Sequence, residues 1–336
     1  MKKLKTIFKK KIVTTKTPLR ISFSGGGTDM PYFYSKFNGV TLSTGIDKFV
    51  YVTVKSHTNF NEKFRLNYSD TEIVDNISKI KNLRIKETLK YFKINEPIYI
   101  NTISDLPYNT GLGSSSAFLI GLINCIFLLK AEKKSLKTIA EIAFKIENKI
   151  TNNALGKQDN YIAAYGGLKK IIYKKKNIDV KKISISKKNK EYLNQSLLFF
   201  WTNKTRLSNK NLTSQKKNFQ KNLTNLKKLK EIAFKFNSKL KSRKINLKEL
   251  GALLDENWQM KQKFTRDISN NYLNRIYKKA ISNGCYGGKL LGAGGGGFFI
   301  FICKKQLQKN VIHKIKNCKH VNFKFYNEGT KNFYLD

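Results

Sequence analysis

At residues 106–117 the chain reads Leu106-Pro-Tyr-Asn-Thr-Gly-Leu-Gly-Ser-Ser-Ser-Ala117, a glycine- and serine-rich loop directly before an apolar run, residues 118–129, that has the length of a helix. A loop of this kind at a helix N-terminus points unpaired backbone N–H groups and the positive end of the helix dipole at an anion. Gly111 and Gly113 let the backbone approach a ligand closely, and the three serines add hydroxyls for phosphate oxygens or a hard cation. We interpret the stretch as a phosphate loop. A glycine turn followed by a serine N-cap is the alternative that the stretch alone leaves open.

The composition is that of a globular protein without a membrane segment. The chain has 336 residues, of which 40% are hydrophobic, which allows a sizeable core and favours two domains. Its longest apolar run is far shorter than the ~20 residues needed to span a bilayer. The lysines of residues 1–11 precede no apolar stretch, so no signal peptide is indicated. We therefore expect a cytoplasmic protein that does not contact a membrane.

Charge is the most unusual property of the chain. Lysine and arginine number 66 against 22 aspartates and glutamates, which gives a formal net charge of +44. The lysines are spread widely, and the densest region, Lys169 to Lys190, lacks the interleaved aromatic or arginine residues of a base-stacking surface. We therefore predict no specific nucleic-acid partner and only loose polyanion binding at low salt. The cysteines form no C-x-x-C pair, so neither a disulfide framework nor a zinc site is indicated.

Strands and helices come in blocks along the chain and not as a regular βαβ repeat. The first third alternates strand-like runs with turns, among them two separate strands at Gly39 to Gly45 and Phe49 to Ser56. Helical patterns follow, and one of them runs without a break from Leu207 to Leu240. This order favours an α+β architecture over a doubly wound sheet. The lysine-rich segment is the predicted boundary between two domains, residues 1–190 and 191–336.

A second glycine segment reads Pro18-Leu-Arg-Ile-Ser-Phe-Ser-Gly-Gly-Gly-Thr-Asp29. A strand that carries Arg20 runs into three glycines, which keep side chains out of a crevice so that a ligand can lie against the backbone. Asp29 can accept hydrogen bonds from vicinal hydroxyls, such as those of a sugar. A tight turn with an Asx cap is the alternative, and it explains one glycine better than three. The candidate substrate-binding residues here are Gly25, Gly26, Gly27, Thr28 and Asp29.

The third glycine segment reads Gly287-Gly-Lys-Leu-Leu-Gly-Ala-Gly-Gly-Gly-Gly-Phe298. It satisfies G-x-G-x-x-G, but an apolar strand follows it where a dinucleotide-binding fingerprint opens a helix. We expect a glycine-padded connection between two strands that presses against the phosphate loop or the substrate. The chain has no G-x-x-x-x-G-K-[ST] loop and no protein-kinase signature. Gly294 and Gly295 are further candidate substrate-binding residues, and Lys289 and Arg266 are candidates to meet a second phosphate.

Three residues are candidates for the chemistry itself. Glu147 falls on the apolar stripe of a predicted helix, where a carboxylate needs a partner such as a cation. Asp159 stands at the start of the next helix, where an acidic residue alone is commonly no more than stabilising. Together the pieces make a coherent site for phosphoryl transfer. The serine loop would hold nucleotide phosphates, a serine hydroxyl and Glu147 would hold Mg²⁺, Asp159 would deprotonate a substrate hydroxyl, and Arg20 would offset charge on the moving phosphoryl group.

The three glycine segments, in this order, resemble the motifs of the GHMP kinase superfamily. Residues Pro107 to Ser116 resemble the family's phosphate loop, and Lys289 to Gly297 resemble its third motif. The segment Arg20-x-Ser-x-Ser-Gly-Gly-Gly-Thr-Asp29 resembles the branch that acts on sugars, chiefly heptose 7-phosphate kinases and the kinase portion of L-fucose kinases. Two further segments resemble the same branch, Gly156-Lys-Gln-Asp-Asn-Tyr161 and Leu254-Asp-Glu-Asn-Trp258.

The resemblance implies a two-domain fold and a set of residue roles. An N-terminal α/β domain with a left-handed βαβ crossover would be followed by a C-terminal ferredoxin-like domain, with ATP between them. Asp159 would be the base and Arg20 its basic partner, while Ser114 or Ser115 would bind Mg²⁺ together with Glu147. The ATP-binding residues would be Pro107, Gly111, Leu112, Gly113, Ser114, Ser115 and Ser116.

The implied activity is ATP-dependent phosphorylation of the anomeric hydroxyl of a heptose 7-phosphate, by a monomer or homodimer, for the synthesis of nucleotide-activated heptose. Two alternatives stay open. One is a kinase of an unphosphorylated sugar such as L-fucose. The other is an inactive kinase fold that binds nucleic acid, which conflicts with the joint presence of Asp159, Glu147 and Arg20. A homoserine or mevalonate-type kinase is disfavoured because the Gly-Gly-Gly-Thr-Asp motif suits a polyhydroxylated ligand.

Overall fold

The computed structural model describes residues 8–57, 62–205 and 208–334, and only the backbone of residues 208–211 and 334. The described ranges contain two sheets with the strands β1 Ile12–Ser24, β2 Gly39–Ser56, β3 Phe64–Asn67, β4 Thr71–Val74, β5 Ile98–Ser104, β6 Leu168–Tyr173, β7 Ile178–Lys182, β8 Leu197–Trp201, β9 Cys285–Leu290, β10 Phe298–Cys303, β11 Lys319–His320, β12 Phe325–Tyr326 and β13 Lys331–Tyr334. The helices are α1 Pro31–Phe37, α2 Leu83–Tyr91, α3 Ser114–Leu129, α4 Leu136–Ile150, α5 Gln158–Tyr165, α6 Lys187–Gln195, α7 Ser208–Lys217, α8 Leu223–Leu240, α9 Leu247–Gln262, α10 Asn271–Ser282 and α11 Lys305–Lys314. Two short 3-10 helices lie at Ile77–Lys79 and Arg266–Ile268.

The first sheet is built on β1 and β2, two long antiparallel strands. Its order is β13-β1-β2-β5-β3-β4, and β12 and the β6–β7 hairpin are added on β2. The prediction of two separate strands over residues 39–56 was wrong, because β2 is one strand of 18 residues. Pairing with β1 resumes after a bulge between Pro18 and Arg20, and β12 pairs with Ile46. These partners keep the backbone extended where the sequence alone suggests a turn.

Helix α3 is the centre of the first layer. All of its residues are buried except Ser115 and Asn124, as expected for a helix that is apolar on every side. It packs against β1 and β2, and the absence of a side chain at Gly121 allows this approach: a Cβ there would lie 2.9 Å from Thr15 Oγ1 and 3.1 Å from Val52. The sheet therefore fixes the position of the loop that precedes the helix.

The second sheet has four antiparallel strands in the order β11-β8-β10-β9. Numbered along the chain, these strands follow a β-α-β-β-α-β course with the spatial order four, one, three, two, which is the ferredoxin-like arrangement. The prediction of a ferredoxin-like second half is confirmed by this topology. Strand β10, Phe298 to Cys303, is entirely buried between β8 and β9.

The predicted unbroken helix over Leu207 to Leu240 was wrong, because a turn separates α7 from α8. Residue 207 itself lies outside the described ranges. In the turn, the backbone N–H of Asn222 donates to the carbonyls of Asn218 and Phe219, and its side chain donates to the Phe264 carbonyl at 3.2 Å. The side-chain partner of Asn222 thus lies 42 positions away in sequence, so a distant segment holds the turn. The break frees α7 to lie beside the cavity described below.

The last two described strands, β12 and β13, belong to the first sheet. Strand β13 pairs with β1, and β12 pairs with β2, although both follow the second sheet in sequence. Position 190, the predicted domain boundary, falls within α6. The division into residues 1–190 and 191–336 stays a prediction, as does the hand of the crossover between the parallel strands β3 and β5. Among the described helices, none combines the length and the apolar character that a bilayer-spanning helix needs.

Candidate active site

The phosphate loop leads into α3 through a glycine cap. Helix α3 begins at Ser114, and its N-cap is Gly113 in the left-handed conformation (φ 75°), with no side-chain hydrogen bond to the first turn. The alternative of a serine N-cap was therefore wrong. The amide groups of the first turn are not capped by a side chain, and the helix dipole adds positive potential there. This arrangement suits an anion such as a nucleotide phosphate.

Arg20 and Asp159 form a bidentate ion pair beside this loop. Arg20 Nε donates to Asp159 Oδ1 at 2.8 Å, and Nη2 donates to Oδ2 at 2.7 Å. The third guanidinium nitrogen donates to the Gly111 carbonyl. Arg20 is 4% exposed, whereas the Asp159 side chain is 27% exposed. The pair is thus anchored on the protein side, and the carboxylate remains open to the cavity.

The two members of this pair come from different elements. Arg20 extends from β1, and Asp159 lies in the first turn of α5. A Cβ at Gly113 would lie 3.3 Å from Arg20 and 3.5 Å from the Asp159 carboxyl, so the loop touches both residues. An acidic residue at this helix start could be explained by helix stabilisation alone, but its pairing with Arg20 is the better explanation.

A cavity joins the three glycine segments at this point. Ten of the predicted site residues line it: Arg20, Gly26, Gly27, Asp29, Gly111, Gly113, Ser114, Ser115, Ser116 and Asp159. Seven do not appear in its wall: Gly25, Thr28, Pro107, Leu112, Glu147, Gly294 and Gly295. Of these, Leu112 is fully buried, and its carbonyl accepts a hydrogen bond from the Arg20 backbone at 3.0 Å, which is a bracing contact. Pro107 is exposed outside the cavity.

The segment Gly25 to Asp29 divides into bracing and lining residues. Gly25 has φ 83° and lies so close to the Val40 carbonyl that a Cβ would collide with it. The Thr28 hydroxyl lies 2.8 Å and 2.9 Å from the carbonyl oxygens of Gly25 and Val40. These contacts hold the turn, and Gly26, Gly27 and Asp29 face the cavity.

Asp29 is a buried carboxylate held by backbone donors. Its Oδ1 accepts from the Gly27 N–H at 2.9 Å, and its Oδ2 accepts from the Gln158 N–H at 3.0 Å. Burial raises the pKa of Asp29, the nearby charge of Asp159 adds to the rise, and the two backbone donors partly offset it. Both oxygens keep lone pairs for the hydroxyls of a ligand.

The third glycine segment connects β9 to β10 and contacts the phosphate loop, as the sequence predicts. A Cβ at Gly297 would collide with the Thr110 carbonyl. Gly294 and Gly295 pack against Ile268 instead: a Cβ at Gly294 would lie 2.7 Å from the Ile268 Cα, and the Gly295 N–H donates to the Ile268 carbonyl at 2.9 Å. Within this segment, the residues that line the cavity are Lys289, Gly292 and Ala293.

Glu147 lies behind the phosphate loop with both oxygens engaged. Oε1 accepts from Arg84 at 3.1 Å and 3.3 Å, and Oε2 accepts from Ser116 Oγ at 2.8 Å and Asn160 Nδ2 at 3.2 Å. The carboxylate is 1% exposed. A Mg²⁺ ion bound directly by Glu147 does not fit this donor set, because the guanidinium of Arg84 already supplies the counter-charge. The described residues also contain no cluster of three His, Cys, Asp or Glu side chains that could hold a metal ion.

Ser114 and Ser115 line the cavity, so they lie near the positions of the bound phosphates in the interpretation given above. The serine that contacts Glu147 is Ser116. The Mg²⁺ set of Ser114, Ser115 and Glu147 stays a prediction, and among the described residues the side-chain hydrogen bonds of Glu147 include neither of these two serines.

Several cavity residues were missed or only partly anticipated from the sequence. Lys261 of α9 and Lys289 of β9 line the wall and are 8% and 2% exposed. Lys261 follows Leu254 and Trp258 on one helix stripe, so a lysine on an apolar face was an available signal. Gln215 of α7 also lines the cavity, and its position depends on the turn that the periodicity did not predict. Arg266 lies in a separate surface depression.

Comparisons with known proteins agree with this geometry. The family model of the GHMP kinases N terminal domain matches residues 82–167, and that of the GHMP kinases C terminal domain matches residues 225–320. The D-glycero-alpha-D-manno-heptose 7-phosphate kinase of Campylobacter jejuni is 29% identical over an aligned length of 343, and the match covers 96% of this chain and 99% of that protein. The galactokinase of Pyrococcus furiosus is 24% identical, and the match covers 89% of this chain and 91% of that protein.

Solved structures give the same fold. The D-glycero-D-manno-heptose 1-phosphate kinase from Bacteroides thetaiotaomicron superposes with a TM-score of 0.79 at 20% identity, and the match covers 96% of this chain and 99% of that one. At this level of identity the likeness establishes the fold alone. The α+β prediction and the predicted two-domain architecture are confirmed. Because both family domains match in order on a chain with this topology, the protein belongs to the GHMP kinase superfamily.

Proposed function

We propose that the protein is an ATP-dependent sugar kinase that phosphorylates the anomeric hydroxyl of a heptose 7-phosphate. The observation that carries the proposal is the Arg20–Asp159 pair, whose carboxylate opens into the same cavity as the uncapped start of α3. Family membership supports ATP as the phosphoryl donor, and the similarity to a heptose phosphate kinase and to a galactokinase supports a sugar as the acceptor.

The residues divide the work between donor and acceptor. The backbone amides and hydroxyls of residues 111–116 hold the phosphates of ATP at the positive end of α3. Gly26 and Gly27 let the sugar lie against the backbone, and Asp29 accepts hydrogen bonds from its hydroxyls. This placement brings the acceptor hydroxyl to the exposed edge of Asp159.

The chemical step then follows from positions and charges. Asp159 accepts the proton of the sugar hydroxyl as the oxygen attacks the terminal phosphorus of ATP. The new oxygen–phosphorus bond forms while the bond to ADP breaks, so that the products are a sugar phosphate, ADP and one proton. Arg20 orients the Asp159 carboxylate, and its charge offsets that of the moving phosphoryl group. The role of Glu147 is to hold Ser116 and Asn160 in place.

An ADP-release assay over a panel of sugars tests the proposal. The panel pairs each sugar phosphate with the same sugar lacking the phosphate, and includes L-fucose. We expect turnover with heptose 7-phosphate and a new anomeric phosphate signal in the ³¹P NMR spectrum of the product. Turnover of free sugars alone would replace the heptose phosphate assignment with a free-sugar kinase. No turnover with any sugar, together with tight salt-sensitive RNA binding, would favour an inactive fold that binds nucleic acid.

A further inference from the structure

We propose that Lys261 and Lys289 form a second anion subsite, which binds the phosphomonoester that the acceptor sugar carries away from its reacting hydroxyl. This inference rests on the proposed function, because it names the part of the substrate that the sugar-binding side of the cavity recognises. Both lysines line the cavity, and neither belongs to the phosphate loop.

The lysines lie on the acceptor side of the cavity. Lys289 Nζ donates to the Phe23 carbonyl at 3.2 Å, at the end of the strand that leads into Gly25 to Asp29. Lys261 Nζ donates to the Gly292 carbonyl, in the segment that forms the neighbouring wall. The substrate motif and the third glycine segment therefore each accept a hydrogen bond from one of the lysines. The ATP phosphates are assigned to the start of α3, so an anion bound by these lysines would be a separate group.

The charge of the cavity wall favours an anionic ligand. Five charged side chains line it, three cations and two carboxylates. Arg20 already holds both oxygens of Asp159, and Asp29 is held by two backbone N–H groups. Among the described residues, no carboxylate lies within ion-pair distance of Lys289, whose ammonium has one carbonyl acceptor. A positive charge therefore remains at this wall for a ligand to match.

A buried lysine without an ionic partner is costly, which makes the position of Lys289 informative. Charged groups are rarely fully buried unless they are paired. Burial, and after it the neighbouring charges of Lys261 and Arg20, holds the pKa of Lys289 well below its usual value. A bound anion would remove this penalty, because it would neutralise the two ammonium groups together.

A phosphomonoester matches the two lysines better than a hydroxyl or a carboxylate. It carries close to two negative charges at neutral pH and offers three strong acceptor oxygens. Lysine ammonium groups are compact point charges that bind phosphate without a fixed orientation. An unphosphorylated sugar would instead leave the Lys289 ammonium buried without an anionic partner among the described residues. We therefore expect the cavity to discriminate strongly between the two sugars.

Direct binding of heptose 7-phosphate and of the unphosphorylated heptose, measured by calorimetry with a non-hydrolysable ATP analogue present, tests the subsite. The variants are Lys261→Met and Lys289→Met, and Lys263→Met is the matched control, because Lys263 is exposed on the same segment as Lys261. We expect each cavity variant to weaken binding of the phosphorylated sugar by about 10- to 100-fold and to leave binding of the free sugar within about threefold. The control should bind like the wild type.

Thermal unfolding separates recognition from a structural role. Because methionine keeps the packing of the lysine stem and removes a buried charge, the Tm of Lys289→Met should equal or exceed that of the wild type. If Lys289 only braces the Phe23 carbonyl, Lys289→Met should have a lower Tm and should bind both sugars more weakly by the same factor. That result would overturn the inference.

The outcomes also separate this inference from the proposed function. If both lysine variants kept the preference of the wild type for the phosphorylated sugar, the lysine subsite would be overturned. The kinase assignment would be left intact. Equal binding of both sugars to the wild type would overturn the subsite as well. Lysine-dependent binding of the phosphorylated sugar without any turnover would support the subsite and contradict the proposed kinase activity.

Discussion

Two arginine–carboxylate pairs flank the start of α3, and they differ in access and not in chemistry. Arg20 and Asp159 meet at the cavity wall, where the Asp159 side chain is 27% exposed. Arg84 and Glu147 meet behind the loop, where Glu147 is 1% exposed. Asp159 accepts side-chain hydrogen bonds from Arg20, whereas Glu147 accepts from Arg84 at Oε1 and also from Ser116 and Asn160 at Oε2. A carboxylate acts on a substrate only if part of it remains free, so the comparison assigns reactivity to one pair and support to the other.

The largest effect in this comparison is expected at Asp159. Asp159→Asn keeps the shape of the side chain and removes the proton acceptor, so kcat should fall by about 10²- to 10⁴-fold. The free energy of unfolding should also fall, by about 1–3 kcal/mol, because the buried Arg20 guanidinium loses its counter-charge. ADP release under saturating substrate measures the first quantity, and urea unfolding the second. A variant with wild-type turnover would contradict the role of Asp159 as the base.

Arg20→Lys should have the next largest effect. Lysine keeps a positive charge but cannot form the two parallel hydrogen bonds by which Arg20 orients Asp159. Misorientation of the carboxylate should lower kcat by about 10- to 100-fold while KM for ATP stays close to the wild-type value. Steady-state kinetics with each substrate varied in turn checks this. An unchanged kcat would show that charge alone, without bidentate geometry, is sufficient.

Glu147→Gln tests the supporting pair, and its effect should appear in stability and not in chemistry. The change leaves the buried Ser116 and Asn160 with a weaker partner and the Arg84 guanidinium without its counter-charge. We expect the free energy of unfolding to fall by about 1–3 kcal/mol. Urea denaturation measures this loss.

The same variant decides between a structural and a metal-binding Glu147. In the structural assignment, the Mg²⁺ concentration required for half-maximal activity stays the same in Glu147→Gln and the wild type. The metal ligand role that the family resemblance implies gives the opposite pattern, with a higher Mg²⁺ requirement and an unchanged free energy of unfolding. Observation of that pattern would remove the distinction between the two pairs.

The sequence predicts which residues lie at the site better than it predicts the residues with which they pair. Local signals were sufficient to predict the glycine segments as loops and Asp159 at a helix start, because glycines and helix starts constrain the backbone within a few residues. The role of Asp159 in the site was predicted only from its combination with the other motifs and from the family resemblance. The apolar stripe placed Glu147 in the interior correctly, but its partner Arg84 lies 63 positions away in sequence. Periodicity carries no information about such a pairing. For this reason the sequence could not show whether the partner of Glu147 is an arginine or a metal ion.

Two further features that differ from the sequence-based prediction also depend on residues distant in sequence. The unbroken strand β2 depends on pairing with β1 and β12, and β12 lies almost 280 positions later in the chain. The turn between α7 and α8 depends on the carbonyl of Phe264 as a partner for Asn222. Both features are set by distant segments. The ferredoxin-like course of the second sheet did not follow from the periodicity either, and it was expected only from the resemblance to the family.

The smallest effect on kinetics is expected for a substitution at Gln215. This substitution tests whether exposure to the cavity is enough to give a polar residue a role in substrate binding. Gln215 lines the cavity, is 5% exposed, and its Nε2 has no hydrogen-bond acceptor among the described residues. A buried amide donor without an acceptor costs free energy, and a ligand oxygen would satisfy it. Gln215→Leu should therefore raise KM for the sugar by about 2- to 10-fold at unchanged kcat. The control is Gln220→Leu, since Gln220 is exposed in the turn after α7. If the two variants had the same KM, exposure to the cavity would not by itself separate functional from supporting residues, and the distinction between the two carboxylates would depend on their hydrogen-bond partners alone.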